Sequence, residues 1–365
     1  KPERESAWQL LQAAAGLGQA IAAAGERLGE KESIAGAIER YVERGAAVDQ
    51  AHRHLEQRRQ ALLYPQLPEF ETLRVRLDAM RSTWRTWADA WACDFNALCK
   101  RHGFLPPTAQ QQRTLFDEVV RPLCQESGAT AYFVVDAFRF EMGAELCQRL
   151  RETPATTVQL KARLAELPTV TEVGMNVLAP VLAGGKLRPV VSSGSIAGFQ
   201  SGEFRVDDPK SRKRAMQERV GGKTCPLLTL SEVRQRDADS LKQTMTQARL
   251  IVVHSQELDS SGEGGFGPAV FDGVMKDLVA AWQLLREAGV RRFVFTADHG
   301  FLLLDEQIPV VQPPGRKVDP KRRHVLSPVA ADHSGQVRVA LSDLGYDGCT
   351  DHLMMPETTA LFDKG

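Results

Sequence analysis

The 365-residue chain reads as an α/β protein, a mainly parallel sheet flanked by helices and preceded by an all-helical domain. Three observations predict this class. Residues up to about 125 are rich in helix formers and free of β alternation. Beyond Ser127-Gly128, short apolar runs alternate with helix-like stretches. Several of those apolar runs end abruptly in a carboxylate or an imidazole. That last pattern puts polar side chains at the carboxyl edge of a sheet, where open α/β folds bind ligands. The expected division is 1–125 and 126–365, with an irregular insertion at about 182–230.

With 43% hydrophobic residues, the chain can bury a substantial core in each of two domains. Lysine plus arginine and aspartate plus glutamate both number 46, so contact with nucleic acid must come from local patches rather than a global field. No apolar run reaches membrane-spanning length, and Lys1-Pro2-Glu3-Arg4-Glu5 is unlike a secretory signal. A cytoplasmic protein with no membrane partner is expected. The six cysteines lie far apart and form no C-x-x-C pair, which argues for reduced thiols over a zinc ribbon or a disulfide framework.

In the helical region, a first helix carries Trp8, Leu11 and Ala15 on one face, is weakened by Gly16 and Gly18, and ends near Gly25 and Gly29. A second starts near Ser33 with Ile34, Ile38, Tyr41 and Val42 at helical spacing. After Gly45 a third carries Val48, Leu55 and Leu62. Its polar run, His52-Arg53-His54 through Gln57-Arg58-Arg59, reads as a solvated face, with phosphate contact as the lesser alternative. Beyond Pro65 and Pro68, Leu73, Leu77, Met80, Trp84, Trp87 and Trp91 recur at three- and four-residue steps, a pattern of helix packing rather than of a stacking platform for bases. Leu105-Pro106-Pro107-Thr108 stops this run, and a further helix passes through Arg113, Phe116 and Val119.

The α/β region opens with the strand Thr130 to Val135, which delivers Asp136 to its end; Phe140 to Leu150 follows as a helix, and Val158 to Leu164 is a second candidate strand. Pro168-Thr169-Val170-Thr171 opens a helix through Leu178. That helix start suits a phosphate beside a hydroxyl, and suits equally an N-cap at Thr169 or Thr171. From Leu182 to Leu230 the text is Gly-, Ser- and charge-rich, and includes Lys210-Ser211-Arg212-Lys213-Arg214. It reads as a surface loop, with a lid or a nucleic-acid-facing loop as the alternative. A helix from Ser231 to Gln247 leads to the strand Arg249 to His254. A flexible turn follows, Leu258-Asp259-Ser260-Ser261-Gly262-Glu263-Gly264-Gly265, with two carboxylates four residues apart. The helix Phe271 to Glu287 ends on Gly289 and feeds the strand Phe293 to Ala297, which presents Asp298 and His299. A basic cluster at Arg316-Lys317 and Lys321-Arg322-Arg323-His324 serves either to neutralise phosphate or as plain loop surface.

Asp136, Asp259 with Glu263, and Asp298 with His299 therefore follow three separate strands at one predicted edge, joined by the hydroxyl of Thr171. Hard oxygens with one imidazole form a donor set for a divalent metal, and two close ions flanking a hydroxyl nucleophile suit phosphoester displacement. On these residues the chain resembles the alkaline phosphatase superfamily, and within it the PglZ branch associated with BREX-type phage defence. Val135-Asp136-Ala137-Phe138-Arg139 is similar to the first metal-binding strand end of the phosphodiesterase relatives, where Asp precedes Gly-Phe-Arg. Leu167-Pro168-Thr169-Val170-Thr171 resembles their Pro-Thr-Lys-Thr nucleophile segment, Leu258 to Glu263 their Asp-Ser-Ser-Gly-His, and Thr296 to Gly300 their Ser-Asp-His-Gly.

The resemblance implies that Asp136, Asp298, His299 and Thr171 hold one ion, that Asp259 and Glu263 hold a second, and that Thr171 attacks phosphorus. It implies zinc, with manganese or magnesium as alternatives, and up to two ions. Glu263 stands where the diesterases carry His, and Gly174 where they carry the Asn that steadies the phosphate, with Asn176 two positions late. The superfamily's distal His is expected beyond Gly365, with His324, His333 and His352 as in-chain substitutes. The function implied is a metal-dependent phosphoesterase, a phosphodiesterase or nuclease, acting on nucleic acid beside other BREX-type defence proteins. The alternative is a phosphatase-like scaffold, catalytically weak or inactive, that binds such partners.

Overall fold

Alanine and leucine carry α1 (Pro2–Ala24) through Gly16 and Gly18 without a break. The computed structural model describes residues 2–25, 27–59, 69–263, 270–304, 308–315 and 323–363. It divides into two units, Lys1–Phe104 with Leu302–Val339 and His352–Gly365, and Leu105–Phe301 with Ala340–Asp351. Residues 105–125, expected with the helical domain, pack in the second unit.

In the first unit, the Ser33 side chain caps α2 (Ile34–Arg40) by accepting from Gly36 N at 3.0 Å. A π-helical turn, Tyr41–Gly45, then leads straight into α3 (Ala46–Arg58). Gly45 thus does not separate two helices. It is needed because a Cβ there would lie 2.6 Å from the Tyr41 ring. After α4 (Phe70–His102), Leu10, Leu17, Val48, Leu55, Leu77 and Trp84 close one core, so the apolar stripe of α4 packs as its spacing predicts.

The polar run of α3 is a correction. His52 is 1% exposed and Arg53 0%, so this part of the face turns inward. His52 stacks on Trp84 with ring centroids 3.7 Å apart, and Glu56 receives Arg81 at 2.8 Å and Arg59 at 2.9 Å. Burial alone would raise the Glu56 pKa, but His52 and the two guanidinium groups hold it down at about 2. Leu62, Arg316, Lys317, Lys321 and Arg322 lie outside the described residues.

The second unit is built on four parallel strands. A π-helical turn, Phe116–Val120, runs into α5 (Arg121–Gln125), and β1 (Thr130–Val135) follows, buried throughout. Next come α6 (Phe140–Arg151) and α7 (Thr171–Val177). Val158 to Leu164 forms no strand; Leu164 makes a single bridge to Gln111, and Arg163 is tied to Gln111 O and Glu118 at 2.7 Å each.

The insertion is also more ordered than its composition suggests. Strands β2 (Pro189–Ser192), β3 (Ser195–Ser201) and β4 (Phe204–Val206) form an antiparallel sheet. Then α8 (Pro209–Val220) begins at a capping box between Asp208 and Ser211. β5 (Leu227–Thr229) precedes α9 (Leu230–Arg234) and α10 (Ala238–Thr244), two short helices where one was expected. β6 (Leu250–Ser255), α11 (Glu257–Glu263), α12 (Phe271–Glu287) and β7 (Arg292–Ala297) complete the unit. Asp259 therefore lies on a helix rather than in a flexible turn.

The strand order is β5-β6-β1-β7, so the β6–α12–β7 crossover passes over β1. On one face Phe133 stacks on Phe295 at 4.3 Å and Trp282 of α12 meets Phe293. On the other, the buried Tyr132 donates to Leu178 O at 3.2 Å. In the first unit, the strands Gln336–Ala340, His352–Pro356 and Val325–Ser327 form a small sheet in that order. Thr359 is anchored there to Asp89 of α4 through its N–H at 2.8 Å and its hydroxyl at 2.7 Å.

Candidate metal centre

The register of the central strands decides which side chains meet. Val135 of β1 is level with Ser255 of β6 and with Ala297 of β7, so the next residues, Asp136 and Asp298, leave adjacent strands at the same height. Both are buried, at 2% and 0% exposure. Ala137 then turns the chain at a positive φ of 54°, which aims its N–H at Asp298 Oδ1 (2.9 Å). Glycine stands at this step in the resembled phosphodiesterases, in keeping with that backbone angle. The His299 N–H donates to the same oxygen at 2.7 Å.

Asp298 Oδ1 is thus doubly satisfied, while Oδ2 is buried with no hydrogen-bond partner among the described residues. Oδ2 is 3.3 Å from His299 Nε2. His299 Nδ1 lies 2.9 Å from Gly300 O, and a carbonyl only accepts, so the proton belongs on Nδ1 and the Nε2 lone pair faces the carboxylates. Ligand atoms of Asp136, Asp298 and His299 all fall within 4.8 Å of one another. Acceptors gathered this closely in a buried place repel, and a cation between them would relieve that repulsion. Burial pushes the Asp136 carboxyl well above the ordinary carboxylate range, reinforced by Asp298 and then Asp259; His299 pulls the other way. Burial raises Asp298 too, against the hydrogen bonds from Ala137 and His299. The donor set of two carboxylates and one imidazole fits a divalent ion.

Thr171 is the first residue of α7. The N-cap is Val170, with no side-chain cap, so neither threonine serves as one. The Thr171 hydroxyl is instead 3.1 Å from His299 Nε2 and 3.4 Å from Asp136 Oδ1. It is brought there by close helix–strand packing: a Cβ at Gly174 would lie 2.3 Å from Asp298 O, so α7 rests directly on the backbone of the ligand strand end.

Sequence reasoning did not find what holds these two pieces together. Buried Gln112 donates through Nε2 to Ala297 O and Asp298 O, both at 2.7 Å, and its Oε1 accepts from Glu166 N at 2.9 Å. Glu166, in turn, is paired bidentately with buried Arg113, and the Tyr346 hydroxyl donates to Leu167 O at 2.7 Å. One amide therefore joins the strand end bearing Asp298 to the segment leading into Thr171. Gln112→Ala should leave three buried backbone groups unpartnered. It is expected to cost about 2–4 kcal/mol of stability in urea unfolding and to weaken zinc binding by about 10- to 100-fold in a titration. Unchanged zinc affinity would remove Gln112 from this role.

The remaining expected ligands are not gathered in the same way. Asp259, half-buried on α11, influences Asp136 electrostatically but is not part of the three-residue cluster. The side chain of Glu263 lies outside the described residues. His324, His333 and His352 all belong to the first unit, whereas the cluster belongs to the second.

A family model described as the BREX system PglZ alkaline phosphatase-like domain matches residues 115–356. The chain belongs to the PglZ family. It is also 25% identical, over 249 residues, to the alkaline phosphatase-like protein BrxZ of Escherichia coli O9:H4 (strain HS). That match covers 64% of this chain and 27% of the relative, so the chain spans about a quarter of that protein's length. The strand-edge cluster lies within the PglZ match, whereas Gln112 precedes it. No helix among the described residues is long and apolar enough to cross a membrane.

Proposed function

We propose that this PglZ domain is a metal-dependent phosphoesterase, a phosphodiesterase or nuclease of a BREX-type defence system, with Thr171 as its nucleophile. The observation that carries this reading is the Thr171 hydroxyl facing His299 Nε2 at 3.1 Å and Asp136 Oδ1 at 3.4 Å, beside the unpartnered Asp298 Oδ2. Asp136, Asp298 and His299 would hold the ion, zinc by preference, with manganese or magnesium as alternatives. When bound, a divalent ion supplies the positive charge that stabilises an alkoxide near neutral pH. Thr171 Oγ1, its proton given up to water, would form the new bond to phosphorus as the bond to the leaving oxygen breaks and that oxygen takes a proton from water; a second water would then hydrolyse the phosphothreonine and restore the hydroxyl. Gln112 and Gly174 keep α7 seated on the Asp298 strand end, so the nucleophile and the ligands stay in one geometry. A second ion would fall to Asp259 and Glu263, whose oxygen-only donation favours manganese or magnesium. Nucleic acid is the proposed substrate class, and other BREX-type proteins are the proposed partners.

Removing metal with a chelator and restoring it tests the reading directly. Cleavage of bis-p-nitrophenyl phosphate and of DNA should fall to background on chelation and return with zinc or manganese. Cleavage that survives chelation would refute a metal role. Protein that binds metal and partners yet never cleaves would instead be a phosphatase-like scaffold, a reading that the Glu at position 263 favours.

A further inference from the structure

The inserted sheet and α8 hold a charge imbalance that the metal centre does not use. Residues 182–230 contain nine lysines and arginines against four aspartates and glutamates, in a chain where the two classes are equal. Three of the four carboxylates are committed locally. Asp208 caps α8 by accepting from Ser211 N at 2.6 Å, Asp207 pairs with Arg205 at 2.7 Å, and Glu218 pairs with Arg214 at 2.8 Å. Lys210, Lys213 and Arg214 recur at three- and four-residue steps, so they share one face of α8, opposite the buried Ala215 and Met216. Lys210 and Arg214 are exposed and Lys213 half-buried. Neither lysine is ion-paired among the described residues. Like charges so close on one helix face repel, and a polyanion laid over them relieves that repulsion.

The face offers charge without a bare ring. Arg214 lies over Phe204 of β4, its guanidinium carbon 4.3 Å from the ring centroid, so that aromatic surface is already covered. Single strands are held by bases stacked on open aromatic faces. This face suits instead the backbone of a duplex, which carries its phosphate charge at closer spacing than a single strand. Two contacts set it beside the nucleophile helix. Strand β3 packs against α7, and Arg212, on the inner side of α8, donates to Asn176 Oδ1 at 2.9 Å. Asn176 follows Thr171 along α7 by about 7–8 Å of helix rise. A duplex with a phosphodiester at Thr171 covers that distance within a few phosphates.

We propose that Lys210, Lys213 and Arg214 form a sequence-independent docking surface for the backbone of double-stranded DNA, next to the helix that Thr171 begins. The surface rests on the nucleic-acid reading of the site, and its test needs neither metal nor turnover. The probe is a fluorescent DNA duplex of about 20 base pairs, titrated by anisotropy into the full chain in chelator at about 50 to 200 mM salt. Lys210→Gln, Lys213→Gln and Arg214→Gln together should weaken binding about 10- to 100-fold and lower the slope of log affinity against log salt by about 2–3. Lys210→Gln with Lys213→Gln leaves the contact of Arg214 with Phe204 in place and should lower the slope by about 2. Lys210→Arg with Lys213→Arg keeps the charge and should keep both affinity and slope. A duplex of unrelated sequence should behave alike. As a comparison, Arg151→Gln, Arg249→Gln and Arg291→Gln remove as much charge from the exposed end of α6 and from the residues before β6 and β7. These should keep the slope within about 0.5 of the wild type. Equal affinity and slope in the wild type and the double glutamine variant overturn the proposal, as does an equal loss in the comparison variant. A wild type that binds no duplex at about 50 mM salt overturns it too. Polyglutamate bound as tightly as the duplex, with the same loss in the variants, overturns it in favour of an acidic protein partner. Duplex bound through these residues by a protein that never cleaves an ester leaves the docking surface standing and sinks hydrolysis alone.

Discussion

Asp298→Ala is expected to abolish zinc binding at the cluster and to reduce phosphodiester cleavage by roughly 10⁴-fold or more. The buried Oδ2 has no other partner among the described residues, and Oδ1 organises the Ala137 and His299 backbones. No neighbouring side chain can take over both tasks. The substitution should also change the pH dependence of stability. Burial raises the Asp136 and Asp298 pKa values in the metal-free fold, and at Asp136 the neighbouring Asp298 raises it further. Their stabilising contribution is therefore complete below the ordinary carboxylate value and is lost as the pH rises through the folded values. Metal-free wild type should weaken over that interval, and added zinc should stabilise it increasingly toward alkaline pH. Asp298→Ala should show a shallower pH dependence and no zinc effect. Zinc stabilisation that persists in this variant, measured by thermal melts from pH 5 to 8.5, would contradict the ligand assignment.

Thr171→Ala should separate the nucleophile from the ligands. Asp136, Asp298 and His299 remain, so zinc affinity is expected to change by less than about tenfold. Turnover is expected to fall by about 10³-fold or more, because the attacking oxygen is gone. Thr171→Ser keeps the oxygen and should retain measurable activity. Turnover in Thr171→Ala equal to wild type would rule out Thr171, and loss of zinc together with turnover would make it a ligand rather than a nucleophile. Thr171 begins α7 without capping it, and its hydroxyl faces two cluster residues, so the hydroxyl has no structural task that would explain its position.

The parallel sheet was legible because Tyr132 to Val135, Ile251 to Val253 and Phe293 to Phe295 are uninterrupted apolar runs, as strands packed on both faces require. The inserted antiparallel sheet was not. Its strands are three to seven residues long, a register shift between Val190 and Val191 breaks the alternation, and Gly and Ser dominate its turns. The signal that was present nearby was Asp208-Pro209 with Ser211, a capping box that opens a strongly polar helix. Val158 to Leu164 misled for the opposite reason: its residues suit a strand, but no neighbouring strand is available to pair with it. His52 and Arg53 look solvated until Trp84 of α4 is brought against their helix, where it stacks on His52.

Asp136, Thr171, Asp298 and His299, which the fold brings together, sit in three short motifs that each close a local strand or open a local helix. Gln112 had no such signature, because its relevance arises only when distant backbone groups meet it. Gly174, a glycine inside a helix, was a sign of close approach that local reading took for a missing asparagine.

The most direct test of the metal centre is a crystal of the zinc-loaded protein measured on both sides of the zinc absorption edge. The account predicts an anomalous peak at about 2.0–2.2 Å from oxygens of Asp136 and Asp298 and from His299 Nε2, with Thr171 Oγ1 at its border. A peak elsewhere, or none at these three side chains in a crystal shown to contain zinc, would contradict it.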